Sequence, residues 1–112
     1  MNIKIGTDIV HIEKFREVLD RNRWKFERDV FLEEERSDDS SVEHLAGIFA
    51  AKEAAIKALG LSPGRWKSIK IQKIASGKPT VAVIGDAPQI KSCDISISHA
   101  GEYAIAVAVF VV

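Results

Sequence analysis

Residues 42–60, VEHLAGIFAAKEAAIKALG, form the strongest helical pattern in the 112-residue chain. Advancing 100° per residue, Leu45, Ile48, Phe49, Ile56 and Leu59 fall on one stripe, as in an amphipathic helix. Gly60 is a C-terminal stop, with Pro63-Gly64 beyond it. Two features depart from plain packing. Ala46, Ala50 and Ala54 leave a flank of small residues beside Glu53 and Lys57, which are four apart and share a face. Lys52 falls inside the apolar stripe, among Phe49, Ile56 and Leu59. A lysine there must snorkel or meet an anion or acceptor, since burying it unpaired is costly.

Outward from this helix, residues 2–10 alternate with period two. Ile3, Ile5, Thr7 and Ile9 share one face of a strand, and Asn2, Lys4, Gly6, Asp8 and Val10 share the other. Gly6 signals a close backbone approach or a bulge. Residues 11–23 read as a helix with Ile12, Phe15, Val18 and Leu19 at helical spacing. Residues 24–36 read as one or two short helices, followed by a polar loop with N-cap character at 37–41. After the long helix, residues 66–75 and 78–84 are expected as strands joined by a turn at Ser76-Gly77. A connection spans 85–91, and strands 93–98 and 102–111 follow. The almost wholly apolar run 104–112 is expected as a central strand or one buried between subunits. This order predicts a single small α+β domain: an antiparallel sheet packed by one long and several short helices.

Composition narrows the function. Sixteen basic and sixteen acidic residues give zero net charge, which argues against general nucleic-acid binding, where counterion release needs a clustered positive surface. A single cysteine, Cys93, excludes an internal disulfide framework and a cysteine-rich zinc site. No apolar run reaches the ~18 residues a membrane span needs, and the N-terminus reads as a strand rather than a signal peptide. A soluble cytoplasmic protein is the expectation. A domain this small buries only roughly two thirds of its unfolded surface, so oligomerisation is a useful source of burial.

Candidate chemistry lies in three places. Asp8, near the end of the first strand, is either a strand-end cap or, with Glu53, part of a hard-cation site. Magnesium takes one or two carboxylates plus water and substrate phosphates. Glu53 and Lys57 are either a surface ion pair or an acid and an ammonium on an accessible flank. In Ser96-Ile97-Ser98-His99 the serines share a strand face, and the block offers hydroxyls and an imidazole to a phosphate. Gly77-Lys78-Pro79 suits a hairpin turn, and its lysine has reach to a phosphate.

Taken together, these blocks resemble the holo-acyl-carrier-protein synthases, 4′-phosphopantetheinyl transferases, along the whole chain. They are Gly6-Thr7-Asp8-Ile9-Val10 with Ile12-Glu13; Phe31 with Glu34 or Glu35; Leu45-Ala46-Gly47 running into Phe49-Ala50-Ala51-Lys52-Glu53-Ala54 and Lys57-Ala58-Leu59-Gly60; Gly77-Lys78-Pro79; and Ser96-Ile97-Ser98-His99. The resemblance implies transfer of 4′-phosphopantetheine from coenzyme A to a serine of an apo-acyl carrier protein, releasing adenosine 3′,5′-bisphosphate. It implies magnesium held by Asp8 and Glu53, catalytic roles for Glu53, Lys57 and His99, and coenzyme A contacts from Lys52, Gly77, Lys78, Pro79, Ser98 and His99. It also implies a homotrimer with active sites between neighbouring subunits. The carrier would dock on the first helix, through Lys14 and Arg21 in a basic face that includes Arg16 and Arg23.

The chain departs from the family pattern at Ile48 and Lys14, where many relatives carry arginine, and in the loop 61–64. Lysine does not reproduce the bidentate fork of arginine. The competing readings are a transferase for a polyketide or other specialised carrier, and a degenerate, non-catalytic trimeric homologue.

Overall fold

A computed structural model of the chain describes residues 1–36, 39–85 and 89–112. The chain runs β1 (Ile3–His11), α1 (Ile12–Arg21), α2 (Arg23–Val30), α3 (Glu33–Arg36), α4 (Val42–Leu59), a 3₁₀ turn (Trp66–Ser68), β2 (Ile69–Lys73), β3 (Pro79–Val83), β4 (Ser92–Ala100) and β5 (Tyr103–Val111). The long helix stands as read: the Ser41 hydroxyl accepts from the His44 N–H at its start, and Gly60 ends it in the left-handed conformation. The expected loop at 37–41 and the connection at 85–91 include Ser37, Asp38, Asp86, Ala87 and Pro88, which lie outside the described residues.

The strands divide into two antiparallel units. β1, β5 and β4 form one sheet in that order, and β2 and β3 form a separate hairpin. The apolar run is therefore a central strand, β5. Two boundaries differ from expectation. Residues 66–68 turn as a 3₁₀ segment before β2 begins, and β4 continues through His99 and Ala100, paired with Ala104 and Tyr103. The hydrogen-bonding of β5 carries that pairing past the point where the side-chain alternation fades.

Small residues set the packing of helix on sheet. Ala104, Ala106 and Ala108 point inward from β5 and are buried, opposite the buried Ala50, Ala51, Ala54 and Ala55 of α4. α4 crosses the sheet diagonally. At Gly47 it meets His99 and Ile97 of β4, and at Ala54 and Ala58 it meets Gly6 of β1. Phe15, Phe26 and Phe49 pack ring on ring at 5.5–5.9 Å between centroids, joining α1 and α2 to α4. The other sheet face carries Ile3, Ile5 and Ile9 from β1, each more than 60% exposed, beside the exposed Tyr103 and Ile105 of β5. Among the described residues no helix is long and apolar enough to cross a membrane.

A Cβ on Gly6 would lie 2.0 Å from the Ala54 carbonyl oxygen and 2.7 Å from the Ala58 nitrogen. Both are backbone atoms in a helix, so neither can step aside cheaply. Gly6→Ala should cost roughly 1–3 kcal/mol, the scale of overpacking, and lower the urea midpoint. An unchanged midpoint would mean that strand and helix are not in this close contact.

Candidate functional site

The inward face of β1 carries Gly6, Asp8 and Val10. Because Gly6 seats the strand on α4, Asp8 lies beside the last turns of that helix. The Lys57 ammonium donates to Asp8 Oδ1 at 3.1 Å and to the Thr7 carbonyl at 3.1 Å. Lys57 thus turns to the strand rather than back to Glu53. Glu53, one turn earlier on the same flank and half-buried, has no hydrogen-bond or ion-pair partner among the described residues. Asp8, Glu53 and Lys57 form one group: an ammonium fixed to one carboxylate, and a second carboxylate left free. Among the described residues no cluster of three or more His, Cys, Asp or Glu could hold a metal. Asp8 and Glu53 are the carboxylates of this group that could offer oxygen donors to a hard cation.

A second group lies at the other edge of the sheet. A cleft of about 450 Å³ is walled by Gly77 and Pro79 of the hairpin, Gly47 and Ile48 of α4, and Ile97 and His99 of β4. His99 Nε2 is 2.9 Å from the Glu43 carbonyl. A carbonyl only accepts, so this nitrogen carries a proton and donates. Gly47 makes the approach possible, since a Cβ there would sit 2.9 Å from His99 Nε2. Asp39 also lines the cleft, and hydrogen bonds from the Ser41 backbone and hydroxyl hold its carboxyl below the usual range.

Ser98 and Lys78 lie away from this cleft. Ser98 alternates with His99 and points to the opposite face of the sheet, in register with Ile105. Lys78 pairs with Asp94 on the outer side of the hairpin, and that ammonium holds the Asp94 carboxyl below its ordinary value. Lys14 and Arg21 are exposed on α1 with no side-chain partner among the described residues. Val18 lies between them at helical spacing and is 39% exposed. Arg16 and Arg23, by contrast, are engaged by Glu13 and Glu43 and by Glu27.

Lys52 corrects the expectation of a coenzyme A contact. It is fully buried, and its ammonium is held by Glu35 Oε1 at 2.6 Å, the Trp66 carbonyl at 2.9 Å and the Ile69 carbonyl at 2.8 Å. An ammonium has three N–H donors, and all three are used inside the protein. Burial pushes its pKa below the ordinary lysine value, and the Glu35 carboxylate acts against that shift. The anomaly inside the apolar stripe was legible; its partner was not, because three consecutive glutamates at 33–35 look alike in sequence. Gly47 was also missed as a site residue. Its signal was a glycine inside an otherwise strong helix, where it costs ~1 kcal/mol relative to alanine unless something packs against it.

The two groups stand at opposite edges of the three-stranded sheet, with about 15 Å of helix between Gly47 and Lys57.

Residues 4–108 match the family model described as the 4′-phosphopantetheinyl transferase superfamily. The holo-[acyl-carrier-protein] synthase of Alkaliphilus metalliredigens is 40% identical, with 94% of this chain and 95% of that protein covered. The corresponding enzyme of Caldanaerobacter subterraneus is 37% identical over 99% of this chain and 96% of its own. Among solved structures, the Helicobacter pylori holo-[acyl-carrier-protein] synthase in complex with coenzyme A superposes with a TM-score of 0.86. Its sequence identity is 31%, and 96% of this chain and 99% of that one are covered.

Proposed function

The chain belongs to the 4′-phosphopantetheinyl transferase superfamily, and from this we propose that it is a holo-acyl-carrier-protein synthase. It moves the 4′-phosphopantetheine group of coenzyme A onto a serine hydroxyl of an apo-acyl carrier protein and releases adenosine 3′,5′-bisphosphate. The observation that carries the reading is the Asp8–Lys57 contact beside an unpartnered Glu53. It provides oxygen ligands and a fixed positive charge on one accessible flank, which phosphoryl-type transfer needs more than any covalent help.

In this reading, Asp8 and Glu53 would hold magnesium, which when bound would supply charge neutralisation at the diphosphate. Lys57, held by Asp8 and the Thr7 carbonyl, keeps its ammonium beside the attacked phosphorus without wandering. The Glu53 oxygen not given to the metal accepts the proton of the carrier serine as the serine oxygen attacks the phosphorus and the bond to adenosine 3′,5′-bisphosphate breaks. Gly77 and Pro79 accept the adenine end in the cleft, and His99 meets the phosphates. Lys78 and Ser98, directed to the outer side of the hairpin and sheet, reach a coenzyme A lying against a neighbouring subunit.

The same placement supports a shared-site assembly. The Asp8 group and the His99 cleft occupy different edges of one chain, so joining them takes a neighbouring subunit, and a head-to-tail contact whose rotation closes does this in a ring. The exposed isoleucines of β1 and the outer face of β5 are the apolar surface such a ring would cover. The ring is a homotrimer. The exposed Lys14–Val18–Arg21 face of α1 is the carrier-docking surface, since carriers of this class are acidic.

The direct test measures mass transfer from coenzyme A to an apo-carrier. Transfer should vanish with chelator and return with magnesium. Glu53→Gln should lower transfer on the order of a hundredfold, the scale of losing a principal catalytic group, and weaken magnesium binding, so that more of the metal is needed. Its melting temperature should hold, because Glu53 has no partner to lose. Normal transfer by this variant would remove Glu53 from the chemistry. In sedimentation equilibrium the protein should weigh three chains; an active monomer would refute the shared site. Lys14→Glu with Arg21→Glu should raise the KM for carrier several-fold at low salt and leave the KM for coenzyme A unchanged, since steering charges act mainly on encounter. Unchanged carrier kinetics would place docking elsewhere.

A further inference from the structure

The ion pair beneath the cleft has a geometry that exceeds what charge neutralisation requires. β2 bonds to β3 through its even-numbered residues, as the Ile74 N–H to Lys78 carbonyl and Ile84 N–H to Ser68 carbonyl bonds show at its two ends. The Ile69 carbonyl and Ile71 N–H therefore point away from β3, at an edge with no strand beyond it. Lys52 donates to the Ile69 carbonyl at 2.8 Å, and Glu35 Oε2 accepts from the Ile71 N–H at 2.8 Å. Glu35 Oε1 also accepts from the Leu32 N–H at 2.7 Å. One ammonium and one carboxylate thus occupy two of the bonding positions that a further strand would fill.

We infer that the buried Lys52–Glu35 pair is a positioning device that sets the cleft, by fastening the β2–β3 hairpin and α3 to the helix that carries Glu53 and Lys57. The inference rests on the reading of the cleft as the coenzyme A subsite. The hairpin brings Gly77 and Pro79 to one wall, and α4 brings Gly47 and Ile48 to the other. Among the described residues no strand hydrogen bonding joins the hairpin to the three-stranded sheet. Lys78 with Asp94, and the Cys93 thiol with the Val81 carbonyl, tie the hairpin to β4. The bonds from Lys52 and Glu35 to β2 tie it to α4, the helix of the opposite wall, and so set the spacing of the two walls. A loosened hairpin changes how coenzyme A is gripped and leaves the Asp8–Lys57–Glu53 group as it was, because that group lies at the far edge of the sheet. Lys52 is adjacent to Glu53 in sequence yet faces the interior, so it is a positioning residue and touches no reacting atom.

Removing one partner would strand a buried charge, so the informative variant changes both: Lys52→Met with Glu35→Gln. Three readings are taken on it: amide hydrogen exchange at Ile71, the KM for coenzyme A and for carrier, and kcat. The expected result is a folded protein in which Ile71 exchanges faster. The KM for coenzyme A should rise about tenfold with kcat and the carrier KM within about twofold, the pattern of lost substrate positioning in the binding step. An unchanged coenzyme A KM would overturn the inference, and so would a fall in kcat at constant KM, which would give Lys52 a part in the chemistry. If the double variant does not fold, Glu35→Asp replaces it. That change keeps both charges and shortens the arm by one methylene, and the same two outcomes decide. If the wild-type protein transfers nothing from coenzyme A, the functional reading fails. Calorimetric titration with adenosine 3′,5′-bisphosphate then decides the inference: weaker binding by the variant supports it, and equal binding overturns it.

Discussion

Gly6 brings the β1 backbone against α4 so closely that a methyl group there would sit 2.0 Å from the Ala54 carbonyl oxygen. The rest of the arrangement follows from this contact. With strand and helix this near, Asp8, two residues on and on the same face, lies within reach of Lys57. Alanines at 104, 106 and 108 continue the close approach across β5, so α4 descends diagonally until Gly47 meets His99 at the other edge. Larger side chains at these positions would lift the helix, and both ends of the diagonal would lose their partners. The polar groups of the site stand where they do because the groups between them are small.

The β2–β3 hairpin is held by different physics. Its outer edge is completed by charged side chains rather than by a strand, and both charges are buried. Such a pair is a weak source of net stability, because desolvation offsets much of the attraction, but losing one partner costs ~3–5 kcal/mol. Every donor of Lys52 has an acceptor, and both oxygens of Glu35 have donors. Full satisfaction of this kind favours one arrangement over its near alternatives.

Much of this was legible in the chain. The helix at 42–60 was readable because its apolar stripe, cap and terminating glycine agree, and β1 was readable from strict alternation. Gly6 announced a close approach, although not the atom approached. Lys52 stood out because it breaks the stripe, but its partner lies seventeen residues away in a run of three glutamates where only packing distinguishes Glu35. The expectation that Lys52 meets coenzyme A failed for that reason: a cation inside an apolar stripe needs an anion, and the protein itself provides one. The partner of Lys57 was unreadable too, because local spacing offers Glu53, while the chain that actually reaches it comes from β1, 49 residues away. Ser98 and His99 are neighbours on one strand and face opposite ways, so that block serves both faces of the sheet.

The proposed assembly resolves why one chain carries two half-sites that do not meet. If the Asp8 group of one subunit works with the His99 cleft of its neighbour, each can be disabled separately and restored by mixing. Asp8→Ala and His99→Ala chains should each be inactive alone. When the two are combined into mixed rings, about a quarter of the interfaces should pair an intact Asp8 group with an intact His99 cleft, because head-to-tail contacts join the two chains' unlike faces. The transfer rate of the mixture should rise to about that fraction of wild type. Mixed rings as inactive as their parents would contradict the shared site and place the whole reaction within a single chain.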